Sequence, residues 1–150
     1  MKITYKEIHS KLSERLNHIV TAPKYKIRDL TEGKIKSIFG EDSTPIEGVF
    51  LISNHTENKA VYVGRSRNMA SRIGVDLRAT TKQQANLSYK LTILDEYPEL
   101  NTIPEAREFI YNHFSVQMIK VNNENERAVL QIYAAMELGT IEEFNSFKES

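Results

Sequence analysis

Apolar positions along the chain shift from helical spacing to alternation and back, and those shifts divide it into elements. Tyr5, Ile8, Leu12, Leu16 and Ile19 recur every three or four residues, the spacing that gathers side chains on one face of a helix. Thr4 and Glu7 form a capping box at its start and Pro23 stands beyond its end. The next stretch, from Lys24 to Lys36, interleaves basic residues with Tyr25, Ile27 and Ile35 before Gly40 and Pro45 mark a loop. It reads either as a DNA-facing element or as a short helix covering the core with a solvated basic edge. Val49-Phe50-Leu51-Ile52 and Ala60-Val61-Tyr62-Val63 are β-branched and aromatic runs, and the polar residues 54–59 between them predict a hairpin with a longer loop.

After Gly64 the pattern predicts a helix over 68–77. A second opens at Thr81-x-x-Gln84 with Leu87, Leu91 and Leu94 as its stripe, and a third follows Thr102 with Pro104 in its first turn. Residues 114–121 read as a strand turned by Asn122-Asn123. A last helix spans 124–138 and stops at Gly139. The expected fold class is α+β: a small three-stranded antiparallel sheet, with strands near 48–53, 60–64 and 114–121, flanked by helices. Residues 1–45 form an N-terminal helical extension to a domain over 46–150.

Composition narrows the chemistry. At 150 residues the chain has the size of one ordinary domain, able to bury a core without disulfides or a structural metal. It has no cysteine, which excludes a disulfide framework and a thiolate zinc site and leads to the expectation of a reducing, cytoplasmic interior. His9, His18, His55 and His113 are scattered without metal-ligand spacing. No apolar run approaches a membrane span, and the N-terminus alternates Lys, Glu and Tyr where a signal peptide would be apolar, so a soluble protein with no membrane partner is expected. The net charge is zero but unevenly placed: from Asp95 onward eleven acidic residues face four basic ones, so the first 94 residues carry the compensating positive excess. That excess suits a phosphate-bearing partner, and equally an ordinary solvated surface.

One constellation is specific in its order and spacing. Gly48-Val49-Phe50 lies on the first strand of the hairpin and Tyr62-Val63-Gly64 on the second. Arg65-Ser66-Arg67-Asn68-Met69-Ala70-Ser71-Arg72 leads into the following helix, and Phe144-Asn145 supplies an aromatic-Asn pair near the C-terminus. Over residues 46–147 the chain resembles the GIY-YIG nucleases. The resemblance implies a DNA endonuclease that hydrolyses phosphodiesters with a divalent metal, Mg or Mn. It makes Tyr62 the residue that orients or activates the water and Arg72 the clamp on the phosphate, a task suited to a planar fork of donors, and it implies that Phe50, Tyr62 and Arg72 face one concavity of the sheet together with the metal ligand. Asp76, one turn after Arg72, takes a place where some members carry a histidine, and could act as base or ligand. Arg65, Arg67, Asn86, Lys90 and Asn145 become candidate DNA contacts. The ordinary alternatives are a half-buried strand aromatic for Tyr62 and an Arg72–Asp76 surface ion pair.

Two positions depart from that pattern. Phe50 stands where the first motif ends in tyrosine and has no hydroxyl to take a proton or hold a water, assistance that is worth roughly 10²–10⁴ in rate. Counting back from Asn145, the family's metal-binding glutamate falls at Gln131, whose neutral amide is a poor ligand for a hard cation. Glu126 is the candidate to stand in as metal ligand, although five residues along a helix turn it toward another side, and its place in the first turn also suits a helix N-terminal charge. Restoring both groups, with Phe50→Tyr and Gln131→Glu, should therefore raise cleavage if the family site is otherwise in place. The departures open a second reading, a catalytically degenerate domain that binds DNA or a protein partner.

Overall fold

The computed structural model describes residues 2–40, 44–75 and 102–142. Helix α1 spans Tyr5–Thr21, and its first turn is closed by Thr4, whose side-chain oxygen accepts from the Glu7 amide. Strand β1 is Tyr25–Lys26, followed by a 3₁₀ turn over Ile27–Asp29 and helix α2 over Glu32–Phe39. Gly40 ends α2 in the left-handed conformation, with φ 67°. Strands β2 (Gly48–Asn54) and β3 (Lys59–Ser66) form the expected hairpin, and α3 (Met69–Gly74) follows. Helix α4 (Ile103–His113) runs directly into β4 (Phe114–Lys120), and α5 (Glu124–Leu138) ends at Gly139 as its left-handed cap, before a 3₁₀ turn over Thr140–Glu142.

Among the described residues the sheet has four antiparallel strands in the order β1-β4-β2-β3, where three were expected. The additional strand pairs Tyr25 with Val116 and Lys26 with Ser115. Two residues are too few to display an alternating pattern, which is why β1 cannot be read from spacing. β2 lies inside the sheet and is buried along its whole length, so it reads as continuous apolar sequence because both its faces are covered.

Alternation along the strands sorts the residues between two cores. Phe50 and Ile52 of β2 pack with Val116 and Met118 of β4 and with Ile35, Ile73 and Ile110 from α2, α3 and α4. Val49, Leu51 and Val63 face the other way, against Ile8, Leu12 and Ile19 of α1 and Leu130, Ala134 and Ala135 of α5. The N-terminal extension therefore supplies apolar side chains to both cores, through α1 on one face and through Ile27, Leu30 and Ile35 on the other. Gln117 fixes the end of α1 to the sheet, its Nε2 donating to the carbonyls of Val20 and Ala22 at 2.9 Å each. The helix expected from Thr81, with Asn86 and Lys90, lies outside the described residues, as do Asp76, Phe144 and Asn145.

Candidate nucleic-acid interface

The two motif strands are neighbours in register, with Phe50 opposite Gly64 and Ile52 opposite Tyr62. Both motif glycines answer to packing. A Cβ on Gly64 would enter the ring of Phe50, and one on Gly48 would meet the Ile119 carbonyl and the Met69 side chain, all within contact distance. Glycine is therefore required for close approach at these positions, not for an unusual backbone angle. Phe50 itself is 1% exposed, so its ring fills the core beside Gly64 and does not line an open concavity. Tyr62 is half-buried against the same core, with its ring centroid 6.2 Å from that of Phe50.

Arg72 is carried by α3, whose Met69, Ala70 and Ile73 belong to that core, so Tyr62 and the arginine helix lie on one side of the sheet. The start of this helix is built by local hydrogen bonds. The Asn68 side chain accepts from the Ser71 amide at 3.2 Å, Ser66 Oγ accepts from the Asn68 amide at 2.8 Å, and the Met69 amide donates to the Ile46 carbonyl at 2.9 Å. These bonds hold the Ser66–Asn68 turn open to solvent as an arch between β3 and α3.

Gln131 and Glu126 sit elsewhere. Arg65 pairs with Val49 in the hairpin register, which puts it with Val63 on the α5 face, opposite to Phe50 and Tyr62. Gln131 reaches β3 from α5: its Nε2 donates to the Val63 carbonyl at 3.0 Å, and its Oε1 accepts from Arg65 Nη1 at 2.9 Å. The convergence of tyrosine, arginine and metal ligand on one face, which the resemblance implies, is therefore not found at Gln131. Glu126 is buried and committed to Arg15 of α1, with Arg15 Nε 3.0 Å from its Oε1. Neither side chain fits a divalent cation, because one is a neutral amide with both ends bonded and the other a carboxylate already neutralised by a guanidinium. Among the described residues no three His, Asp or Glu side chains stand together as a ligand group.

What the fold does bring together is a set of arginines around the 65–72 arch. A cleft of about 200 Å³ is lined by Arg65, Ser66, Arg67, Glu124 and Arg127. A second, of about 240 Å³, is lined by Ser66, Arg67, Asn68, Ser71 and Arg72, and a third by Thr44, Pro45, Glu47, Arg67 and Asn68. Arg67 borders all three, is exposed, and has no hydrogen-bond or ion-pair partner among the described residues. Four guanidinium groups and two carboxylates, Glu47 and Glu124, thus line clefts that share Arg67.

Arg127 is the functional candidate that sequence reasoning missed. It is 3% exposed, and its Nη1 donates to Glu47 Oε2 at 3.2 Å and to the Val121 carbonyl at 2.9 Å, so it forms a rigid floor to the first cleft. Its partner is 80 residues away in the chain, and no local pattern announces such a pairing.

No family model, curated protein or solved structure matches this chain. No helix among the described residues is long and apolar enough to cross a membrane.

Proposed function

We propose that this is a GIY-YIG-type DNA-engaging domain that retains phosphate binding and in which metal-dependent hydrolysis is weakened or lost. The observation that carries the reading is Arg67, an exposed guanidinium at the junction of three adjoining clefts that Arg65, Arg72 and Arg127 also line. Arginine suits this place because its planar donors match phosphate oxygens in pairs, and release of condensed counterions supplies most of the binding free energy. Ser66, Asn68 and Ser71 beside it offer neutral hydrogen bonds of the kind that position a protein on a sugar-phosphate backbone without reading bases.

Weak hydrolysis follows from the same residues. Phe50 has no hydroxyl and is closed into the core, Gln131 is an amide bonded at both ends, and Glu126 is paired with Arg15. The test is direct. Labelled duplex DNA titrated with the purified chain should bind at low salt and lose affinity steeply as salt rises, and Arg67→Ala should weaken it. Supercoiled, linear and branched DNA incubated with magnesium or manganese should be cleaved slowly or not at all. No binding at low salt, or binding indifferent to salt, would remove the reading. Robust metal-dependent cleavage would return the chain to the active endonucleases, with a carboxylate other than those described.

A further inference from the structure

Gln131 holds the place at which the resemblance expects a metal-binding carboxylate, and its surroundings give the amide a task of its own. It is 9% exposed, and its two ends are used differently. The Nε2 donor is tied to the Val63 carbonyl, which fixes the orientation of the amide because the carbonyl can only accept. The Oε1 end is thereby turned toward Arg65 and takes one of its five donors at 2.9 Å. Arg65 is otherwise exposed, on a long side chain whose free rotation would scatter its charge.

We infer that Gln131 is a positioning residue that fixes Arg65 over the Arg67–Arg127 cleft, and that its neutrality keeps the Arg65 charge available to a DNA phosphate. The inference rests on the DNA-binding reading of that cleft and assigns a role within it. A carboxylate in this position would still hold the guanidinium, but as a salt bridge, cancelling the charge that a phosphate must meet. It would also face the Val63 carbonyl oxygen, against which it has no donor to offer while ionised. The other arginine of the cleft floor shows the contrast, since Arg127 is already paired with a carboxylate, Glu47. Beside the exposed Arg67 and the Glu124 carboxylate, the cleft therefore holds one buried arginine paired with a carboxylate, Arg127, and one oriented by a neutral amide, Arg65.

The experiment measures affinity for labelled duplex DNA across a salt series for the full chain and its variants, with circular dichroism and urea unfolding to establish that each folds. Arg65→Ala should reduce the slope of log affinity against log salt by about 0.9, the value of one phosphate contact. Gln131→Glu should reduce the slope by a similar amount while Arg65 is still present. Gln131→Met keeps the volume and removes both hydrogen bonds, so it should weaken binding several-fold, and it should have no further effect in the Arg65→Ala background. A role confined to stability would instead shift the unfolding midpoint equally in both backgrounds and leave the salt slope alone. An unchanged slope and affinity in Gln131→Glu, or a Gln131→Met effect that persists without Arg65, overturns the inference while the DNA-binding reading stands. Failure of the unmodified chain to bind DNA overturns both.

Discussion

The two faces of one hairpin carry the resemblance in different ways. On the Phe50 face the motif residues are closed into a core: the ring sits over Gly64, Ile52 and Met118 lie beside it, and helices α2, α3 and α4 cover the whole. On the other face Val49, Leu51 and Val63 enter a second core, but Arg65 beyond them meets the Gln131 amide, and along the arch that leaves β3 Arg67 and Arg72 stand among the side chains of Ser66, Asn68 and Ser71. The lesson is that a motif pairing strands through glycines can be kept by packing alone. The glycines and the aromatic ring would be required here even if no phosphate ever approached, whereas no contact among the described residues ties the stability of the fold to the exposed Arg67.

That contrast can be broken most severely in the core. Phe50→Ala should destabilise the fold by about 3–5 kcal/mol, the usual loss for a buried phenylalanine, and Gly64→Ala should cost about 1–3 kcal/mol by forcing the ring aside. Both are read as shifts of the urea midpoint at constant slope. If either substitution leaves the midpoint where it was, the closed-core account of the motif is wrong. Arg67→Ala, measured the same way, should fall within about 0.5 kcal/mol of the unmodified protein, since its side chain is exposed and makes no hydrogen bond or ion pair among the described residues.

A smaller effect is expected where the two regions meet. Glu47→Gln removes the charge opposite the buried Arg127, but Glu47 is 36% exposed and the Val121 carbonyl still accepts from the same guanidinium nitrogen. Water therefore compensates in part, and the loss should be about 1 kcal/mol. The same substitution uncovers positive charge in the cleft, so DNA affinity at low salt should rise as stability falls. Opposite signs in the unfolding and binding measurements distinguish a cleft residue from a merely structural one; a fall in both would assign Glu47 to the fold alone.

For Arg67→Ala the effect moves entirely to binding. Removal of one phosphate contact should lower the salt slope by about 0.9 and weaken binding several-fold at low salt. Duplexes of unrelated sequence should be affected alike, because a backbone contact carries no base information. A loss restricted to one sequence would point to a groove contact in its place.

Much of the frame behind these expectations is legible in the residues themselves. The capping box at Thr4, the hairpin, the strand after α4 and the Gly139 stop all follow from local chemistry, and the elements occur where that chemistry puts them. What local spacing does not carry is pairing at a distance. β1 exists because Tyr25 and Lys26 meet β4 some ninety residues later, and Arg127 becomes a cleft floor through Glu47. Gln131 illustrates the same limit at the site. Its motif position follows from counting along the chain, but the face it occupies is decided by how α5 lies on β3, and that packing puts it across the sheet from Tyr62.

The smallest effect is expected from the double substitution that the family pattern favours most. Phe50→Tyr with Gln131→Glu restores both missing groups on paper, and a converging site would gain roughly 10²–10⁴ in rate from a general base alone. Here the two groups are delivered to opposite faces. The new hydroxyl would extend from a ring that is 1% exposed, into a core where it displaces apolar contacts. The new carboxylate would lie against Arg65 and the Val63 carbonyl, drawn into a salt bridge and turned away from any shared water or cation. Cleavage of supercoiled plasmid with magnesium or manganese should therefore rise by less than about tenfold over the unmodified chain, far short of that gain. A larger rise, abolished by adding Arg72→Ala, would mean that Tyr62, Arg72 and position 131 converge on one phosphate when DNA is bound. The closed face would then be a resting arrangement of an enzyme, and the division between the two faces would not survive substrate binding.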